Sequence, residues 1–295
     1  MIENIANVIP RLSNNLHKGQ MGRIAIVGGS KEYTGAPYFS AISSLYCGAD
    51  LVYVICSASS APVIKSYSPE LIVHPVLDGI LADATKCMDK VHAITFGPGL
   101  GLNENVENTI NLIDYCRLSN KPIVIDADAL HIITRNPSLI KGYEKTILTP
   151  NSVEFSRLYY SVFSSQPNSS NAKDATRSLA EKLGVTVVHK GPADVISNGQ
   201  ITILCEEQGS PRRCGGQGDI LSGTMSVFNH WFHQTEDNKN LVISATVGAA
   251  FAACSLTRRC SQLAYTKYGR SMVTTQMLTE IHNAFDQLFS KTTYT

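Results

Sequence analysis

The eight cysteines at 47, 56, 87, 116, 205, 214, 254 and 260 include no C-x-x-C pair, and no histidine stands at zinc spacing from them. For scattered thiols of this kind, reduced cysteines in a reducing compartment fit best. No run of eighteen apolar residues occurs, and Met1-Ile2-Glu3-Asn4 lacks the basic and apolar regions of a signal peptide. A soluble, cytoplasmic protein with no membrane partner is expected, and a mitochondrial form from another translation start is compatible with this. Charge of one sign is also missing: 25 basic against 24 acidic residues give a net charge of +1. Nucleic acid is therefore not an expected partner, although Arg212-Arg213 and Arg258-Arg259 form local basic patches. Two nucleotide motifs are absent as well. No G-x-x-x-x-G-K-[ST] occurs, and Gly97-Pro98-Gly99-Leu100-Gly101 is followed by Leu102 where a dinucleotide fingerprint needs its third glycine. Any ATP must be held without a P-loop.

What is present supports a large core: 295 residues, 43% hydrophobic and 17% charged. Short runs rich in β-branched residues predict strands at Arg23–Val27, Leu51–Cys56, His92–Phe96, Pro122–Ile125, Thr146–Leu148 and Val185–Val188. Helix-length segments separate most of them, such as Ala36–Ala49 and Glu104–Ser119. The alternation predicts a mostly parallel sheet with helices on both faces. Asn198-Gly199 between Asp194–Ser197 and Gln200–Cys205 adds a late β-hairpin. The polar stretch Ser164–Asn171 is too short for an interdomain linker, so residues 1–295 are expected to form a single α/β domain without internal repeats.

Candidate chemistry gathers at strand exits. Arg213–Thr224 is a turn with glycine at 215, 216 and 218, running into an apolar helix. Free backbone N–H groups and the positive end of the helix dipole suit a phosphate or an oxyanion there. Asp219 in the first turn is either a stabilising dipole partner or a general base toward a hydroxyl that accepts a phosphoryl group. Asp126 and Asp128 close a strand and either face magnesium or cap the next helix. Asn151, Ser152 and Glu154 fit a helix cap and capping box as well as a site. Lys190, before Gly191-Pro192, is a solvated charge or a phosphate ligand.

Several strings in register resemble the ATP-dependent NAD(P)H-hydrate dehydratases. They include Lys18-Gly19-Gln20, Gly28-Gly29-Ser30 with Tyr33-Thr34-Gly35-Ala36-Pro37-Tyr38, and Lys65–Leu71. Gly97–Gly101, Ile125–Asp128, Leu148–Phe155, Lys190-Gly191, Arg212–Asp219 and Tyr268–Ser271 continue the match through most of the chain. The resemblance implies a ribokinase-like three-layer sandwich and the ATP- and Mg2+-driven dehydration of the S epimer of hydrated NADH or NADPH. Carried over by motif, Gly99, Asn151, Ser152, Val153, Glu154, Phe155, Ser156, Arg157 and Asp219 would contact the hydrate. ATP would lie on Lys190, Gly191, Pro192, Ala193 and Asp194, and on Gly209, Ser210, Pro211, Arg212, Arg213, Cys214, Gly215, Gly216, Gln217 and Gly218. Asp219 would act as the base, and the N–H groups of Gly216, Gln217 and Gly218 would stabilise the phosphoryl group in transfer. A side chain at Gly216 is expected to fill phosphate space.

Two departures from the family pattern stand out: Ala129 replaces a usual glycine near the ligand, and Pro211 removes one N–H from the ATP loop. The resemblance also implies a separate NAD(P)H-hydrate epimerase as functional partner, and a homo-oligomer is compatible with it. The alternative of the same fold is a small-alcohol kinase of the hydroxymethylpyrimidine or hydroxyethylthiazole type. A nucleotide-binding sensor without turnover is a second, and Asp219 argues against it.

Overall fold

The computed structural model describes residues 2–102, 105–168, 171–237 and 243–290. Among the described residues nine strands form one sheet: β1 Arg23–Val27, β2 Leu51–Ile55, β3 Ile72–His74, β4 Ala93–Phe96, β5 Ile123–Ile125, β6 Thr146–Leu148, β7 Thr186–His189, β8 Asp194–Ser197 and β9 Thr202–Cys205. Their order is β3-β2-β1-β4-β5-β6-β7-β8-β9. The ladders from β3 through β7 are parallel, and β7, β8 and β9 pair antiparallel. The Asn-Gly hairpin therefore forms the far edge of the sheet. β3 at the other edge was not expected; its apolar run is bracketed by Pro69 and Pro75, which mark a connection. The expected helix from Glu104 runs over Val106–Leu118, and Glu104 lies outside the described residues. Ser169 and Ser170 of the polar stretch lie outside them as well.

Successive strand residues point to opposite faces, and the two sets enter two separate cores. Ile24, Ile26, Val52, Val54, Ala93 and Val124 pack with helices Gly35–Cys47, Gln217–Asp237, Ala245–Tyr268 and Ile281–Phe289. Ala25, Val27, Ile55, Ile94, Phe96 and Ile123 pack with helices Val106–Leu118, Ala127–Arg135, Ser152–Phe163 and Ala172–Leu183. β1, β2, β4, β5, β6 and β7 are covered on both faces, which is why they read as continuous apolar runs instead of alternating ones.

The helix Gln217–Asp237 crosses the centre of the sheet. Thr95 in β4 donates its hydroxyl to the Ser222 carbonyl at 3.0 Å, and Ser44 donates to the Gly223 carbonyl at 2.9 Å. A Cβ at Gly223 would meet the Ser40 carbonyl oxygen at 2.0 Å, so only glycine permits this closeness of two helices. These contacts fix the start of the helix above the carboxyl ends of the strands. β1 has β2 on one side and β4 on the other, so strand order reverses between β1 and β4. The crevice above that reversal is where open α/β sheets bind ligands.

Candidate functional site

Two cavities open at this edge, and the first turn of helix Gln217–Asp237 stands between them. One, of about 530 Å³, is walled by Asn151 and Ser152 after β6 and by Lys190, Gly191, Pro192 and Asp194 around β7 and β8. Gly209, Ser210 and Arg213 from the loop after β9 and Gln217 and Gly218 from the helix start complete these walls. The other, of about 580 Å³, lies over the strand-order reversal. Ser30–Tyr33 after β1, Gly99–Leu102 after β4, and Ala127 and Asp128 after β5 enclose it, with Asp219 facing in from the helix.

Backbone donors aim at the first cavity by construction. The opening N–H groups of a helix have no intrahelical partner, and Gly216, immediately before Gln217, has no side chain to cap them. The loop holds its shape through bonds to neighbours. Thr274 donates its hydroxyl to the Gly215 carbonyl, Gln217 Nε2 donates to the Arg212 carbonyl at 3.1 Å, and Ser210 N–H donates to Ser261 Oγ at 3.1 Å. Gly216 adopts φ +95, and a Cβ there would lie 2.8 Å from Thr274 atoms. A side chain at 216 therefore strikes Thr274 and does not enter phosphate space, which corrects the expectation from sequence. A Cβ at Gly218 would be in ordinary contact with Lys190 Nζ at 3.8 Å and Asp126 Oδ2 at 3.9 Å, on the side of the first cavity, and one at Gly215 would meet open space.

Charges are arranged around one free carboxylate. Asp126 is buried and accepts from Lys190 Nζ at 3.1 Å and from Thr149 Oγ1 at 2.8 Å. Asp128 accepts the Gly101 N–H at 3.0 Å. The Asp126 side chain makes no capping hydrogen bond to the helix Ala127–Arg135, and Asp128 faces the second cavity. Burial acts to lower the Lys190 pKa, yet Asp126, Glu154 and Asp219 together hold it above the ordinary lysine value, so it stays cationic. Glu154 is committed to the capping box: Asn151 Oδ1 accepts from the N–H groups of Val153 and Glu154, and Glu154 Oε2 accepts from the Asn151 N–H at 2.8 Å. The Asp219 carboxylate, by contrast, has no hydrogen bond or ion pair among the described residues. Burial first, then the neighbouring Asp126, raises its pKa to about 7, against the opposing pull of Lys190. An unpaired carboxylate tuned to neutrality at the junction of two cavities has the properties of a general base.

The structure distributes the other expected residues unevenly. Asp194 turns its carboxylate onto Arg258, which grips it through Nε and Nη2 at 2.7 Å each and also binds the carbonyls of Gly191 and Pro192. Its place in the first cavity is to fix the loop Lys190–Asp194. Pro211, Arg212, Cys214 and Gly215 support that cavity without lining it, and Ala193 lines a smaller cavity behind the loop. Phe155 is buried and stacks on His189 with ring centroids 3.9 Å apart. Val153, Ser156 and Arg157 face a groove on the outer side of their helix. Ala129 is fully buried, so its methyl enters the core and does not approach a ligand.

Arg258, Thr257, Cys254, Leu221 and Met277 in the first cavity, and Ser30–Tyr33 with Asn105 in the second, were not foreseen as site residues. The signal available for Arg258 was the Arg258-Arg259 pair. For Ser30–Tyr33 it was their place directly after β1.

Known proteins resemble this chain over nearly its whole length. A family model described as NAD(P)H-hydrate dehydratase matches residues 24–283. The chain is 50% identical over 290 residues to the ATP-dependent (S)-NAD(P)H-hydrate dehydratase of Mus musculus, covering 97% of this chain and 84% of that one. A ribokinase-like superfamily protein from Enterococcus faecalis superposes with a TM-score of 0.76 at 20% identity, covering 98% and 95% of the two chains. The Bacillus subtilis ADP/ATP-dependent NAD(P)H-hydrate dehydratase, co-crystallised with ATP/Mg2+, gives 0.75 at 19% identity, covering 98% and 97%. The fold is ribokinase-like.

Proposed function

Because the chain belongs to the NAD(P)H-hydrate dehydratase family, we propose that residues 1–295 work as one catalytic domain with ATP and the hydrated dinucleotide held on either side of Asp219. The activity is ATP-dependent dehydration of the S epimer of hydrated NADH or NADPH, as named for relatives about half identical to it. The observation that carries the placement is Asp219, unpaired and half-buried where the two cavities meet.

ATP occupies the cavity of Lys190, Asn151 and Gly209–Gly218, with its terminal phosphate at the helix N-terminus. The hydrate occupies the cavity of Ser30–Tyr33 and Gly99, its ring hydroxyl toward Asp219. Asp219 takes the hydroxyl proton as the oxygen bonds to the terminal phosphorus and the bond from phosphorus to ADP breaks. The N–H groups of Gln217 and Gly218 and the Lys190 ammonium stabilise charge on the phosphoryl group during transfer. Hydroxide is a poor leaving group and phosphate a good one. The electron pair of the adjacent ring nitrogen expels phosphate, and loss of a neighbouring ring proton restores the double bond of the reduced nicotinamide.

Among the described residues no group of three acidic, histidine or cysteine side chains is placed to hold a metal. The residues therefore fit magnesium carried by the ATP phosphates, where it would offset their charge. An enzyme specific for the S epimer leaves the R epimer untouched, so a separate epimerase is its functional partner. No helix among the described residues is long and apolar enough to cross a membrane, in keeping with a cytoplasmic placement. A kinase reading has less support, because it would leave the close relatedness to dehydratases unexplained.

The test is to mix the protein with the S hydrate of NADH, ATP and magnesium and to follow the absorbance of reduced nicotinamide. Its return with time is expected. No return with either ATP or ADP refutes the reading.

A further inference from the structure

We propose that the groove between helices Ala127–Arg135 and Ser152–Phe163 receives the adenosine end of the substrate, and that Arg157 reads the ribose phosphate distinguishing hydrated NADPH from hydrated NADH. The proposal rests on the dehydratase reading above and names its specificity residue.

A dinucleotide is far longer than its reacting ring, so with the ring at Asp219 the other half must leave the second cavity. Ala127 and Asp128 line that cavity, and His131 and Thr134 follow one and two turns along the same helix, on the same face. His131 and Thr134 form one wall of the groove, a space of about 680 Å³. Val153, Ser156, Arg157 and Tyr160 form the opposite wall. A chain leaving the reaction cavity along the Ala127–Arg135 helix enters this groove.

Three hydroxyls of the groove are already engaged within their own helices, which leaves those of Ser152 and Tyr160 open to a ligand. Thr134 donates to the Leu130 carbonyl at 2.8 Å, Ser156 to the Ser152 carbonyl at 2.9 Å and Ser161 to the Leu158 carbonyl at 2.8 Å. Arg157 is different: among the described residues its guanidinium has no hydrogen bond or ion pair. The acid that feels its charge, Glu154, is held by the Asn151 N–H in the helix cap. Beside it Val153 is 59% exposed and Tyr160 54% exposed, an apolar surface on which a purine can rest. An uncommitted guanidinium beside an aromatic ring suits a phosphorylated nucleoside, because the planar fork matches phosphate oxygens bidentately. Hydrated NADH has a hydroxyl where hydrated NADPH has that phosphate, so only one of the two substrates completes the contact.

The phosphate is remote from the reacting carbon, so its contribution is the same in ground and transition states and belongs in KM and not in kcat. The test measures kcat and KM for both S hydrates with wild type, Arg157→Ala and Arg157→Lys at saturating ATP. In Arg157→Ala the ratio of KM for hydrated NADPH to KM for hydrated NADH should rise on the order of 10- to 100-fold, the loss of a charge-assisted contact. Arg157→Lys should fall between, keeping the charge without the fork. An equal change in both KM values, or an unchanged ratio, overturns the assignment. Turnover of either hydrate by the wild type keeps that failure separate from a failure of the dehydratase reading.

Discussion

Asp219→Asn should make the protein more stable and nearly inactive, and the structure gives a size to both effects. The carboxyl is raised from 3.8 to about 7, roughly three pKa units, which at about 1.36 kcal/mol per unit sets a ceiling of about 4 kcal/mol on the cost of ionising it in the fold. The side chain keeps contact with the open cavity, so about 2 kcal/mol is the working figure after screening. The sign follows from a native pKa above the unfolded one. The native state holds the proton more tightly, so the cost is absent below about pH 4, grows between about 4 and 7, and is complete above 7. Asparagine fills the same volume without ionising. The variant should therefore melt roughly 4 °C above wild type at pH 8, with the gap shrinking as pH falls toward 5. Its turnover should fall by roughly 10²–10⁴ with ATP binding retained. Calorimetry at the two pH values, with single-turnover kinetics, measures both. An Asp219→Asn protein that is no more stable than wild type at pH 8 would refute the desolvated, unpaired carboxylate.

Three further outcomes follow from the same geometry. In wild type, kcat/KM should rise with pH and level off near the Asp219 pKa of about 7, since the protonated carboxyl cannot accept a proton; a flat profile from pH 5 to 8 would count against the base. Gly218→Val should lower turnover on the order of 10²–10³ with little change in melting, whereas Gly216→Val, forced against Thr274 at positive φ, should lose stability first. Lys190→Met should destabilise by about 3 kcal/mol in urea unfolding, because Asp126 is left buried with Thr149 as its remaining partner, and Asp126→Asn in the same chain should recover much of the loss.

Most of the sheet was legible because buried parallel strands are β-branched runs bounded by turns, and Asn198-Gly199 marks its hairpin by local chemistry alone. β3 was not, because Pro69 and Pro75 bracket its short apolar run at the edge of the sheet. In the site, Asp219 and the glycine turn could be read locally, since a helix start carries its own donors. The partners could not. Lys190 meets Asp126 across 64 residues of chain, and Arg258 meets Asp194 across another 64, so Arg258 looked like half of a surface patch. The direction of a Cβ at Gly216 depends on Thr274, a contact that exists only once the carboxy-terminal helices have packed. Sequence pattern located the glycine turn, and tertiary packing decided what a side chain at each of its glycines would meet.

The most direct test of the central claim is product stoichiometry in one reaction of wild-type protein with the S hydrate of NADH, ATP and magnesium. ADP, inorganic phosphate and NADH are expected to form in equal amounts. A phosphorylated hydrate that accumulates, or ATP consumed without NADH returning, would contradict it.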